Sequence, residues 1–223
     1  MKRTILVVLA FILANVTLSA QTKFGIGVNG TYFAPIGDFG DVYKSGFGGS
    51  ASLLYNVNDN IQLSLSSGYA QFSFNNEKFN QLLSDFFSAF GTTVKVDINS
   101  KLNIIPVMLG GKYFFTNSAF KPYAALDLGL HIVSVDASSF KVNSQSYDAV
   151  KGQSKAATAW GIGIGFMYQV APKINLDVNG KINGNNLEVG TSFSGSTGTS
   201  SASQSSNSTV TFLSVGAGLV FEL

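Results

Sequence analysis

Residues 160–168 read Trp160-Gly161-Ile162-Gly163-Ile164-Gly165-Phe166-Met167-Tyr168, large apolar side chains alternating with glycine and closing on an aromatic at each end. A repeat of two puts successive side chains on opposite faces of an extended chain, so this stretch predicts a β-strand with one bulky apolar face and one nearly bare face. The glycines do not fit the G-x-G-x-x-G spacing of a nucleotide-binding turn, and they keep the alternation of the strand around them.

Seven further segments show the same period. Phe24, Ile26, Val28 and Tyr32 oppose Gly25, Gly27, Asn29 and Thr31; Phe47, Ala51, Leu53 and Tyr55 oppose Gly48, Ser50, Ser52 and Asn56. Ile61, Leu63, Leu65 and Tyr69 oppose Gln62, Ser64, Ser66 and Gly68. Ile105, Val107, Leu109 and Tyr113 face Asn103, Pro106, Gly110 and Lys112, with Ile104 and Met108 interrupting the polar side. Ala124 to Ile132, Ile174 to Ile182 and Leu213 to Leu223 complete the set, for eight segments in all.

Period two alone leaves open which face looks inward. The face opposite the apolar one is mostly Gly, Ser, Ala and Asn, whereas the exterior of a soluble barrel is mixed and charge-rich. Only 12% of the 223 residues are charged, against about 25% for a soluble domain. Aromatics gather at the strand ends: Phe24, Tyr55, Tyr113, Tyr168 and Phe221 at one, Tyr32, Tyr69 and Trp160 at the other. Such girdles mark both interfaces of a membrane barrel. The expected fold is therefore all-β: a closed antiparallel eight-stranded transmembrane up-and-down β-barrel, apolar outside. The alternative is a soluble lipocalin-like barrel with the faces reversed.

The N-terminus supplies a route to the membrane. Lys2 and Arg3 precede the apolar run Ile5–Ala14, and Thr17, Ser19 and Ala20 supply small residues before a cleavage point placed between Ala20 and Gln21. That is the three-part pattern of a secretory signal, giving a signal peptide over 1–20 and one barrel domain over 21–223. Cleavage removes two positive charges, so the formal net charge of +2 falls to zero. Arg3 is the only arginine, which argues against a nucleic-acid binder. The chain has no cysteine, so disulfides and thiolate metal sites are excluded.

Connections alternate between short (Asn58-Asp59, Thr116-Asn117-Ser118, Ala171-Pro172) and long (roughly Pro35 to Ser45, Asn75 to Ile98, Ser134 to Ser154 and Asn185 to Ser208). Short periplasmic turns and long extracellular loops are the outer-membrane arrangement, and an even strand count then leaves both termini in the periplasm.

Ordered local patterns carry a family resemblance: Ala34-Pro35-Ile36-Gly37-Asp38-Phe39 with Tyr43 and Gly46-Phe47-Gly48, Ile105-Pro106-Val107 leading to Gly111-Lys112-Tyr113-Phe114, Lys121-Pro122-Tyr123, and Gly218-Leu219-Val220-Phe221. In this order they resemble the outer membrane protein beta-barrel domain, OmpA/OmpX-like in architecture. The terminal Phe221-Glu222-Leu223 departs from the family's usual aromatic last residue. The resemblance implies fold and location, with outer-membrane lipid and the barrel-assembly machinery as partners. It implies no activity, because members of one fold do many things.

Four features could bear chemistry. His131 is the only histidine; Asp127, four residues back on the same face, is about 13 Å away along the strand, too far for a direct hydrogen bond. Lys112, Asp127, His131, Asp177, Lys181 and Glu222 share the inward parity, which predicts a lumen polar network; Asp127 and Lys181 reach similar heights, with Lys112, Asp177 and Glu222 lower. Phe79, Leu82, Leu83, Phe86, Phe87 and Phe90 recur at three- and four-residue spacing, one apolar face of a helix inside a long loop. Thr191 to Thr209 is Ser/Thr/Gly-rich and reads as a linker-like loop. No catalytic, cofactor or metal residues are assigned. The expected function is a non-enzymatic, structural or porin-like outer-membrane barrel whose surface loops make its contacts. The alternatives are a carrier of a small apolar ligand in a pocket at the barrel mouth, and a lipid hydrolase or acyltransferase around His131.

Overall fold

The computed structural model describes residues 23–88, 95–136, 140–142, 145–147, 154–193 and 202–223. The segment 1–20, expected to be a signal peptide, and Phe90 lie outside them. The elements are β1 (Phe24–Ile36), α1 (Asp38–Val42), β2 (Gly46–Asn56), β3 (Ile61–Ser73), α2 (Asn76–Ser88), β4 (Val96–Ile98), β5 (Lys101–Phe114), β6 (Phe120–Asp136), β7 (Phe140–Val142), β8 (Gln145–Tyr147), β9 (Ser154–Ala171), β10 (Ile174–Phe193) and β11 (Ala202–Glu222).

Eight of the strands close into one antiparallel barrel in the order β1-β11-β10-β9-β6-β5-β3-β2, while β4, β7 and β8 form a small separate sheet among the long loops. Chain neighbours pair with each other, and β1 pairs with β11 to seal the ring, so the barrel has no edge to protect.

Register fixes the geometry. From Gly25, straight across the ladders, the path runs through Leu54, Ser64, Gly110, Asp127, Gly161, Asn183 and Phe212 and returns to β1 at Pro35, ten residues beyond its start. A shear of ten in eight strands sets a strand tilt of about 40° to the barrel axis. Each step across the wall in this direction therefore climbs about one and a quarter residues.

The apolar faces point outward. Leu53, Leu109, Leu128, Ile164 and Val215 are each more than half exposed, a band of large side chains that water would not tolerate at this density. Aromatic pairs line its margins: Phe24 with Tyr55 at 5.0 Å at the short-turn end, Tyr32 with Phe47 at 5.1 Å at the long-loop end. Among the described residues no helix is long and apolar enough to cross a membrane; strands do the crossing.

Three elements depart from the sequence expectation. Asn103 lies on the outward parity of β5, shared with Ile105, rather than on the polar inner side. There it accepts from Tyr69 Oη (2.6 Å) and Gln71 Nε2 (3.0 Å) and donates to Asp136 Oδ2 (2.8 Å), a polar rim where the wall leaves the apolar band. The long loop expected over Asn185 to Ser208 is largely strand: β10 and β11 stay paired up to Phe193↔Ala202. Beyond Asn185 and Thr211, where pairing to β9 and β1 ends, the two strands form a free ribbon. The sequence beyond these points loses the alternation that identifies a half-buried strand, so a period of two does not reveal it. Finally, the first long loop holds α1, too short to show a helical period.

Candidate functional site in the barrel lumen

Two apolar clusters divide the interior. Toward the long-loop end, Phe72, Ile104, Val133 and Phe212 are buried together with Phe39, delivered from α1, and with Phe33 packed against them. Ring contacts tie them: Phe39 to Phe72 at 5.1 Å, Phe72 to Phe212 at 5.5 Å and Phe33 to Phe212 at 5.6 Å. Toward the short-turn end, Leu54, Phe114, Tyr123, Ala125, Met167 and Val220 form the second cluster. Ile104 and Met108, which interrupt the polar pattern of β5, are buried inside.

Between the clusters the lumen is polar and its charges are paired. Lys181 Nζ meets Asp127 Oδ2 at 2.5 Å, and Lys112 Nζ bridges to Asp177 Oδ2. Tyr123 Oη donates to Asp177 Oδ1 at 2.5 Å, and the Lys112 ammonium stands 4.6 Å from the Tyr123 ring centroid. Asn185 Nδ2 lies 3.0 Å from His131 Nδ1. Asp177, Asp127 and His131 are all more than 90% buried, so pairing is what makes them tolerable.

The pairs share one rule. Tyr123–Asp177, Asp127–Lys181 and His131–Asn185 are each 54 residues apart, so three rungs four residues apart connect β6 to β10 across the lumen. The shear explains the offset. Straight across the ladder, Asp127 lies level with Gly161 and then Asn183. Two strand steps climb about two and a half residues, so the side chain at Asp127's true height is two residues down β10. By the same arithmetic Lys112, in register with Ala125, Gly163 and Lys181, drops about four residues over three steps and meets Asp177.

The structure thus brings Lys112 to Asp177 and Asp127 to Lys181, and places His131 and Glu222 outside these ion pairs. Glu222 accepts from Asn175 Nδ2 at 3.0 Å near the short-turn mouth. His131 faces an amide rather than Asp127. Tyr123 was missed as a site residue, although its inward parity was legible. Among the described residues no group of three or more His, Asp or Glu side chains gathers as a metal centre would.

The apolar loop helix lies over α2. Phe79 packs on Phe74 with centroids 5.6 Å apart, and Leu83 and Phe87 are half-buried, but Leu82 and Phe86 stand about two-thirds exposed. Two ion pairs fasten this helix to the neighbouring loop, Lys44 to Glu77 at 2.8 Å and Lys78 to Asp41 at 2.6 Å. The Lys44 ammonium holds the Glu77 carboxyl below its ordinary range.

A closed, outward-apolar barrel with a charge-paired interior defines an outer-membrane β-barrel protein. The model of the outer membrane protein beta-barrel domain matches residues 4–221, and the chain belongs to that family. Neisserial surface protein A is similar in fold, at 16% identity and a TM-score of 0.51, over 92% of this chain and 100% of that one. A major outer membrane protein of Thermus thermophilus is similar at 12% identity and a TM-score of 0.53, over 90% and 99% of the two chains. No curated protein sequence matches.

Proposed function

We propose that this protein is a non-enzymatic, non-conducting barrel of the outer membrane. In this reading it is exported by a cleaved signal, inserted by the barrel-assembly machinery, and held with both termini in the periplasm. The observation that supports it is the filling of the lumen by side chains: two packed apolar clusters with paired charges between them. An eight-stranded barrel has room inside for little more than its own side chains. His131 supports the non-enzymatic reading, since its ring faces the Asn185 amide rather than a carboxylate or a nucleophile. The surface then belongs to the long loops, with the exposed Leu82 and Phe86 of α2 placed to meet lipid or a partner.

Planar-bilayer recording tests this. The native barrel should give no resolved current steps, and Phe33→Ala, Phe72→Ala and Phe212→Ala together should introduce flickering conductance by removing the upper cluster. Discrete steps from the native protein would overturn the reading.

A further inference from the structure

The rungs across the lumen share an offset of 54 residues, and the same offset carried toward the short turns sets Lys121 beside Asn175. Straight across the ladders, Lys121 is in register with Met167, then Asp177, then Gly218. Three steps drop about four residues, as they do between Lys112 and Asp177, and bring Lys121 to the height of Glu222. Here, however, the ion pair is not made. Glu222 Oε1 accepts from Asn175 Nδ2 at 3.0 Å, and among the described residues the Lys121 ammonium has no ion-pair partner. Two charges that the geometry of the lumen would join are held apart.

A cavity of ≈ 380 Å³ lined by both groups lies at the short-turn mouth of the barrel. That volume is within the range of small-molecule sites, about 300–1,000 Å³. Its floor is Phe114 and Met167, both buried in the lower apolar cluster. Its wall carries the amides of Asn56, Gln62 and Asn175. Gln62 is only 4% exposed; its Nε2 donates to Asn56 Oδ1 at 2.7 Å, but its own carbonyl oxygen has no donor among the described residues. A buried acceptor left empty is uncommon and is completed by an N–H. Lys23 and Asp59 add one charge of each sign at the rim, so with Lys121 and Glu222 the mouth carries no net formal charge.

We infer that this cup binds a short zwitterionic peptide, its carboxylate on Lys121, its ammonium on Glu222 and a peptide N–H toward the Gln62 carbonyl. The zwitterion follows from the charges. A simple anion or cation meets no net charge at the mouth, whereas a molecule with opposite charges at its two ends matches Lys121 and Glu222 without breaking an existing ion pair. The peptide follows from the amides and the floor. Side-chain amides offer a peptide group both the donors and the acceptors it needs, and Phe114 with Met167 receives a small apolar side chain. In the orientation proposed above the cup opens to the periplasm, while binding itself is independent of which way the barrel faces.

After Met1, Met108 and Met167 are the only methionines; Met167 lines the cup, and Met108 lines a separate cavity around the lumen ion pairs. With methyl-labelled methionine, the full barrel in lipid nanodiscs can be titrated with dialanine at neutral pH. The Met167 methyl resonance should shift to saturation while Met108 stays put. N-acetyl-dialanine, which lacks the ammonium, and dialanine amide, which lacks the carboxylate, should each bind about tenfold more weakly. Lys121→Gln should weaken dialanine by a similar factor and bind it no better than dialanine amide. Glu222→Gln should likewise bind dialanine no better than N-acetyl-dialanine. If either variant fails the boiled-against-unboiled gel test for a folded barrel, the capped peptides decide the matter on native protein. A Met167 signal that does not move, or that moves together with Met108, overturns the site. Free and capped peptides that bind native protein equally, or a folded Lys121→Gln barrel that binds dialanine as native protein does, overturn the zwitterion.

Discussion

At the residue scale the interior is governed by charges that need partners. Asp177 is met by both Lys112 and Tyr123, Asp127 by Lys181, and both lysines and both aspartates are largely removed from solvent. Breaking a buried ion pair from one side leaves an uncompensated charge, at a cost of about 3–5 kcal/mol. Lys112→Ala and Lys181→Ala should each lower the urea midpoint of the detergent-solubilised barrel by a corresponding amount. Lys181→Met with Asp127→Leu should recover most of the loss, because two apolar groups need no partner. Glu222→Gln keeps an acceptor for Asn175 and should change stability by less than about 0.5 kcal/mol. The inward parity of all these residues was legible from the alternation. Heights counted from the short turns set Asp127 level with Lys181 and Lys112 and Asp177 together below them, as the ion pairs have it, whereas the part of Tyr123 in holding Asp177 was not legible.

At the element scale, period two exposes every strand that has one face in lipid and hides those that do not. The polar ribbon beyond Asn185 is the clearest case, and α1 the second, since five residues are too few to carry a helical period. Replacing residues 194–201 by Asn-Gly should leave the barrel intact, because Phe193 and Ala202 are already a register pair and such a dipeptide suits a tight hairpin. An unchanged shift between boiled and unboiled gel bands would show it. The helix α2 is fastened by a ring contact, two surface ion pairs and the amides of Asn76 and Asn80, which bond the backbone of β4, so Phe79 is its one aromatic anchor. Phe79→Ser should therefore speed proteolysis between Asn75 and Ile98 several-fold without altering the gel shift. The Lys44–Glu77 contact works in the same direction with pH: the Glu77 carboxyl is held low, so the contact is complete above the ordinary carboxylate range and is lost as pH falls through the lowered value. Proteolysis of this loop should accelerate on acidification.

At the scale of the whole molecule, the closed ring depends on glycines where neighbouring backbones nearly touch. A Cβ on Gly129 would lie 2.1 Å from the Val107 carbonyl oxygen, so Gly129→Val should prevent closure and yield a chain that migrates identically boiled and unboiled. The shear of ten that aligns the lumen pairs also decides which strands outrun the wall. Asn186 to Phe193, with their partners on β11, pair only with each other, which at about 3.3 Å per residue lifts the β10–β11 tip roughly 20 Å clear of the rest of the barrel. A short peptide tag grafted between Phe193 and Ala202 would ride on that mast. Antibody to it should label intact cells in which the same tag, placed in the turn at Asn58-Asp59, stays hidden until the envelope is broken.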